Sequence, residues 1–406
     1  MTIPEIESKR NYKAFIWHGL FLALASNFTE VNTVIPSMLI KIGANSVHLG
    51  ILTAIMFGGA SFMQLFFSRI LSSQKFKKKW LLTGINLRVL ALAGIAFLFL
   101  FSTKLSPFAI FFNVYLLITI FSFSGSFANV SYIDILGKTI NNKQRKHFFS
   151  LKQLFTSTGF LISAILARQI LKSTTYPANY SYLFFIAAAL LFVASFGFYA
   201  LIEKTPSGKK DKNSGSFINM MKREIKENKN LRNYLVIINT MGIGVSLIPF
   251  IILLVKESNG LNFDKIGNFI VYQTIGMLVG SLTLYFSAKK FKYKNVLKFD
   301  VAMGVAIPII ALVLSNYNNV IQYIFLLTGL FTSTYKVSVN GMLIEISSNE
   351  NRTLYAGMAG AGNVLPMIFP IIAGLFIKFA GYYFTFGATA LIIACSILAI
   401  RRLKCK

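Results

Sequence analysis

Acidic side chains are the scarcest resource in this sequence: 13 Asp and Glu stand against 41 Lys and Arg in 406 residues. Charged residues of both signs make up only 13% of the chain, where a soluble domain of this length carries roughly 25%. Two cysteines, Cys395 and Cys405, cannot form a disulfide framework or a zinc site. Three scattered histidines, His18, His48 and His147, give no metal-ligand spacing. There is no Walker A loop, no HExxH, and no Ser/His/Asp or Cys/His arrangement. The spacing of Asp134 and Lys138 is too loose to suggest a membrane transferase. These absences predict a protein without cofactor, metal or catalytic residues, and not an enzyme.

What is abundant is apolar sequence. Hydrophobic residues make up 55% of the chain and the mean hydropathy is +0.63. They come in long blocks nearly free of charge, without the alternation of a surface helix. Each block is long enough to cross a hydrocarbon core of about 30 Å. Twelve spans are predicted, at 14–39, 47–71, 80–101, 107–136, 148–170, 181–202, 233–255, 266–287, 295–314, 320–346, 353–379 and 382–400. The first is read as a retained helix, because no small-residue cleavage site follows it. The longest internal polar stretch, 203–232, divides the spans six and six. Its second part could form an amphipathic surface helix.

A net charge of +28 could suggest nucleic acid. The basic residues instead lie between apolar blocks, on alternate loops. One side holds Lys9, Arg10 and Lys13, the Lys75–Lys79 run, Lys138 to Lys146, the central stretch, Lys289–Lys294 and the C-terminal Arg401 and Arg402. The other side holds scattered cases such as Lys41, Lys104, Lys172, Lys256 and Lys265. The positive-inside rule then predicts a multi-pass inner-membrane protein with both termini cytoplasmic, surrounded by lipid and without nucleic acid.

The halves echo one another. QKFKKKWLL at 74–82 matches KKFKYKNVL at 289–297, and INNKQRKHFFS at 140–150 matches ISSNENRTLYAG at 346–357. In the second pair Arg145 and Arg352 hold corresponding places. Two echoes at similar offsets indicate a duplicated six-helix unit, a pattern typical of one large transporter class.

With these features the chain resembles the major facilitator superfamily over nearly its whole length. The resemblance implies an all-α membrane protein of twelve transmembrane helices in two six-helix pseudo-repeated bundles. Residues 1–202 would form the N-terminal bundle, 203–232 a cytoplasmic linker and 233–406 the C-terminal bundle. It implies a secondary transporter moving a small solute by alternating access, with protons as a further expected partner and a monomeric state. The loop after span 2, SRILSSQKFKKKW, keeps the family's basic cluster but lacks its Gly and Asp. Span 5 lacks the Gly-Pro pair of drug/proton antiporters. QLFFSRIL, DILGKTINNKQR and LIEISSNENRTLYAGM fit a poorly characterised bacterial branch. An efflux pump for drugs or amphiphiles on the same fold is one alternative. A membrane sensor or lipid-modifying enzyme is another, and the spread of acids over several helices argues against it.

A charge in hydrocarbon costs at least about 2.5–3.5 kcal/mol on insertion scales, so polar residues inside spans mark candidate sites. For the substrate or proton pathway they are Glu30 with Asn27 three residues before it, expected on one helical face that Thr33 continues, and Lys336 within a polar stripe of span 10. Glu30 could instead simply touch the outer aqueous vestibule, and Lys336 could snorkel to the cytoplasmic edge. The neutral candidates are Gln64, Asn113, Gln153, Asn239, Gln273 and Asn363, each of which could equally be an inter-helix hydrogen bond. Arg88, Asp134, Lys138, Arg145, Glu345 and Arg352 lie nearer the cytoplasmic ends and read as gate or structural charges.

Overall fold

The computed structural model describes residues 5–72, 74–140, 142–204, 206, 222–259, 263–287, 292–317, 319–347, 355, 358–360 and 362–403. Among them there is no strand. Within hydrocarbon every backbone donor and acceptor must be satisfied inside its own segment, and the helix is the solution for a single run of chain. The helices are α1 (Glu5–Ser26), α2 (Val34–Lys41), α3 (Ser46–Thr53), α4 (Ala60–Ser72), α5 (Lys78–Leu100), α6 (Pro107–Thr139), α7 (Asn142–Ser173), α8 (Ala178–Tyr199), α9 (Lys229–Asn259), α10 (Phe263–Ser287), α11 (Tyr293–Leu314), α12 (Ile324–Ile346) and α13 (Leu365–Arg402). Each of the twelve predicted spans is mostly helical where it is described. Eight helical segments among the described residues are long and apolar enough to cross a membrane.

Local chemistry sets several boundaries. The Ser106 hydroxyl accepts the Ala109 N–H at 3.3 Å and Pro107 opens α6, where its missing N–H costs nothing. Asn45 and His48 cap α3 reciprocally. A π-helical stretch, Ala54–Gly59, joins α3 to α4. Gly381 (φ 79°, ψ 176°) breaks α13 between the eleventh and twelfth predicted spans, a backbone conformation that a side chain would strain.

The chain forms two compact units. The first comprises residues 1–30 and 62–211, and the second 31–61 and 212–406. This partition differs from the six-plus-six division of the sequence, because residues 31–61 pack with the second unit. The cause is visible at α3, where Ser46 Oγ donates to Gly374 O on α13 at 2.7 Å.

In the first unit, α1 packs on α7 and α8, and α5 on α6 and α8. Phe15, Phe148 and Phe198 are fully buried at its core, and Phe15 meets Tyr132 edge-on at 5.1 Å. In the second unit the tightest seam joins α10 and α12. A Cβ on Gly276 would collide with the Leu326 carbonyl, and one on Gly329 with the Gln273 carbonyl, so small residues are required on both sides. α9 and α11 pack on α13.

Candidate functional site

The first predicted span is not one helix. α1 ends at Ser26, a 3-10 turn covers Asn27–Thr29, and Glu30 is extended (φ −64°, ψ 127°) before α2 begins. The expected common helical face of Asn27, Glu30 and Thr33 therefore does not form, because the helical periodicity stops before Glu30. Asn27 instead turns to α7, where its Nδ2 donates to Phe160 O at 2.6 Å. Glu30 is half-buried. The run Asn27–Thr33 is polar because an interruption in a span leaves backbone groups that the segment itself cannot satisfy.

Inside the first unit, basic residues on α1, α5 and α7 each pack against α6. Arg88 on α5 lies against α6, with its guanidinium carbon 4.5 Å from the centre of the Phe121 ring and its buried Nε without a hydrogen-bond partner. Two turns along α6 from Gly125, which faces that Nε, stands Tyr132. Its hydroxyl accepts from Lys152 Nζ on α7 at 3.0 Å, and Nζ lies 5.0 Å from its ring centre. His18 on α1 is buried, stacked on Phe198 at 3.8 Å and 6.3 Å from Tyr132. It lies within electrostatic reach of both Arg88 and Lys152. Among the described residues none of the three basic groups touches a carboxylate.

At one end of the same unit, the charges are paired. Asp134 and Lys138, four residues apart on α6, meet at 3.0 Å. Lys77 bridges to Asp134 at 2.9 Å, and Lys138 reaches Glu203 at 2.6 Å. The Glu203 carboxylate also accepts the N–H groups of Lys77 (2.8 Å) and Lys78 (2.6 Å) at the start of α5, where orphan donors and the helix dipole favour an anion. Lys78 Nζ answers by donating to Tyr199 O and Leu201 O at the end of α8. All these partners lie within the first unit. Glu203, Lys77, Lys152 and His18 do not stand out as site residues in the sequence; Glu203 lies at a span edge and reads as linker.

In the second unit Asn239 is a bracket. Its Nδ2 donates to Leu235 O and Gly362 O, at 2.7 and 2.6 Å, and its Oδ1 accepts the Leu365 N–H at 2.8 Å. Gln273 is 2% exposed, and neither end of its amide has a partner among the described residues. Asn363 Oδ1 and Glu345 Oε2 are also buried without a hydrogen-bond partner among the described residues. Lys336 is exposed on α12. Asp300 escapes the sequence reading, although it lies inside span 9. It is fully buried and accepts from Thr334 Oγ1 (2.6 Å) and Ser338 Oγ (2.7 Å), joining α11 to α12.

The remaining candidates are dispersed. Asn113 donates to Ala109 O one turn back at 2.8 Å, and Gln64 is half-buried on α4. The side chains of Gln153 and Arg145, and the whole of Arg352, lie outside the described residues. The predicted pathway residues thus do not gather into one cluster within either unit. Among the described residues no group of three His, Cys, Asp or Glu side chains could hold a metal ion.

Helices of this length, with buried polar groups between them, define a polytopic membrane protein. The family model described as Major Facilitator Superfamily matches residues 16–326 and 234–404. The chain belongs to that superfamily and is a secondary transporter. Its fold is similar to that of the nucleoside transporter NupG, with TM-score 0.66 and 13% identity over 99% of this chain and 100% of the other. It is similar to a D-xylose-proton symporter, with TM-score 0.71 and 14% identity over 98% of each chain. A POT family transporter in complex with 5-aminolevulinic acid aligns with TM-score 0.72 and 11% identity, over 97% of this chain and 95% of that one. No curated sequence relative was found.

Proposed function

We propose that this transporter carries a small solute by alternating access, that the polar interruption at Glu30–Thr33 belongs to its transport path, and that Glu30 couples movement to protons. The observation that supports this reading is the interruption itself. Non-helical backbone at membrane depth persists only where it is buried in protein or lines an aqueous cavity, and transporter sites are built around such discontinuous helices. A carboxyl there can gain and lose a proton as its access to water changes. The protein works as a monomer in the cytoplasmic membrane, with both termini inside, as the distribution of Lys and Arg over its loops supports. The duplicated halves, 1–202 and 233–406, are the bodies that move, and 203–232 links them. The work is translocation, without covalent chemistry.

The test is uptake by the purified full chain in proteoliposomes, using solutes chosen from a thermal-stabilisation screen and an imposed pH gradient. Glu30→Gln should abolish accumulation driven by the gradient while solute exchange continues. Unchanged gradient-driven accumulation in that variant would reject Glu30 as the coupling group. Absence of any solute movement by the wild-type chain would reject the proposed mode of transport.

A further inference from the structure

Basic residues that serve structure in this chain are paired with acids or helix ends, as Lys77, Lys78 and Lys138 are. Arg88 and Lys152 are not, although both sit inside predicted spans. An ionised side chain in that position costs several kcal/mol unless something opposes it, and it marks a functional site whose partner has to be named. Here the chain itself supplies two aromatic faces and one hydroxyl, but no carboxylate, among the described residues. Arg88 keeps a buried Nε donor unused and offers its remaining guanidinium donors. Lys152 spends one of three ammonium protons on Tyr132 and is only half-buried, so the group is reachable. The Tyr132 hydroxyl accepts that bond and keeps its own hydrogen to donate. Gly125 lets the guanidinium lie close against α6, because a Cβ there would come within 3.3 Å of Nε.

We propose that Arg88, Lys152, Tyr132 and His18 form a binding site in the first unit for a small anion bearing a carboxylate or phosphate group, and that the transported solute is therefore an organic anion. This rests on the transport reading above and specifies the substrate class. A guanidinium offers planar, paired donors that match a carboxylate or phosphate, while the ammonium adds a point charge. The same charges repel cationic amphiphiles, so the site disfavours the drug-efflux alternative.

The experiment measures thermal unfolding of the detergent-purified full chain with inorganic phosphate, glycerol 3-phosphate, succinate, citrate and benzoate. Glucose, uridine and tetraphenylphosphonium serve as neutral and cationic comparisons, and phosphatidylglycerol tests a lipid headgroup as the source of the anion. At least one anionic solute should raise the unfolding temperature saturably. Its apparent affinity should fall at least tenfold in Arg88→Gln and in Lys152→Gln, recover partly in Arg88→Lys, and stay unchanged in Lys104→Gln on the exposed turn after α5. Gel filtration identifies variants that fail to fold; Lys152→Gln then carries the test if Arg88→Gln is lost. Stabilisation by neutral or cationic compounds only, by phosphatidylglycerol only, or by anions with undiminished affinity in both Gln variants overturns the proposal. Transport of glucose or uridine by proteoliposomes that ignore every anion would overturn the substrate class and leave the transport reading standing. Failure to move any solute would count against transport itself.

Discussion

Removing the Glu203 carboxylate should destabilise the first unit more than any exposed charge change. Glu203 has a side chain only 2% exposed, and Lys138, its partner at 2.6 Å, is 13% exposed. Deleting one member of a buried pair typically costs about 3–5 kcal/mol, because the other charge is left without compensation. Lys138 still keeps Asp134, which moves the expectation towards the lower end. Loss of the acceptor for two N–H groups at the start of α5 moves it back up. With about 2–4 °C lost per kcal/mol for a body of 150–250 residues, Glu203→Ala should lower the unfolding temperature by roughly 6–20 °C. The assay is thermal unfolding of the detergent-purified full chain. Lys204→Ala is the control: Lys204 is 72% exposed and pairs with Glu7, a contact worth less than about 1 kcal/mol. The double variant Lys138→Ala with Glu203→Ala should be less damaged than the sum of the single changes, since it leaves no unpaired ammonium. A shift for Glu203→Ala no larger than that of Lys204→Ala would refute the reasoning.

Three further outcomes follow from the second unit. Replacing Thr334 with Val and Ser338 with Ala together should lower stability more than Asp300→Ala, as read by unfolding temperature. The double change strands a buried carboxylate, whereas the hydroxyls retain their own alternatives at Leu330 O and Tyr335 O. Gly329→Val should force α10 and α12 apart at a cost of about 1–3 kcal/mol or more, visible as loss of a monodisperse gel-filtration peak. Asn239→Ala should speed hydrogen exchange at the Leu365 amide by at least tenfold, because that N–H loses its side-chain acceptor at the start of α13.

The helical segments were legible because apolar length and loop charge are local properties. The family was legible from basic loops repeated in order. The site was legible only where a polar residue interrupts an apolar run. Glu30, Arg88 and Gln273 stand out on that criterion. Whether such a residue is a ligand group or a bracket depends on what lies opposite, which linear sequence does not contain. Asn239 and Gln273 are both amides in mid-span, yet one ties three backbone groups and the other has no partner among the described residues. Glu203 illustrates the reverse case, since its meaning comes from Lys77, Lys78 and Lys138, over sixty residues away. The end of helical periodicity before Glu30 was hidden too, because Asn and Thr are compatible with a helix as well as with its interruption.

Acid scarcity connects the structural and functional readings. With 13 acids for 41 bases, where each carboxylate goes decides which cations stay available. In the first unit, Glu5 is held by Lys9 and Glu7 by Lys204, while Asp134 and Glu203 are held by Lys77 and Lys138. In the second, Glu224 accepts from Tyr355 and Asp300 from two hydroxyls. The paired acids of the first unit are thus spent elsewhere, and none of them reaches Arg88, Lys152 or His18. A cation held in a low-dielectric interior without a carboxylate is costly, so the arrangement lowers stability unless an anion enters. A transporter gains from that penalty being relieved by its solute, because binding energy then favours the loaded state over the empty one. The same reasoning requires Arg88→Leu to stabilise the empty protein while removing its response to anions. An empty Arg88→Leu variant that unfolds at a lower temperature than wild type would show that the guanidinium supports the fold, and the argument from acid scarcity would fail.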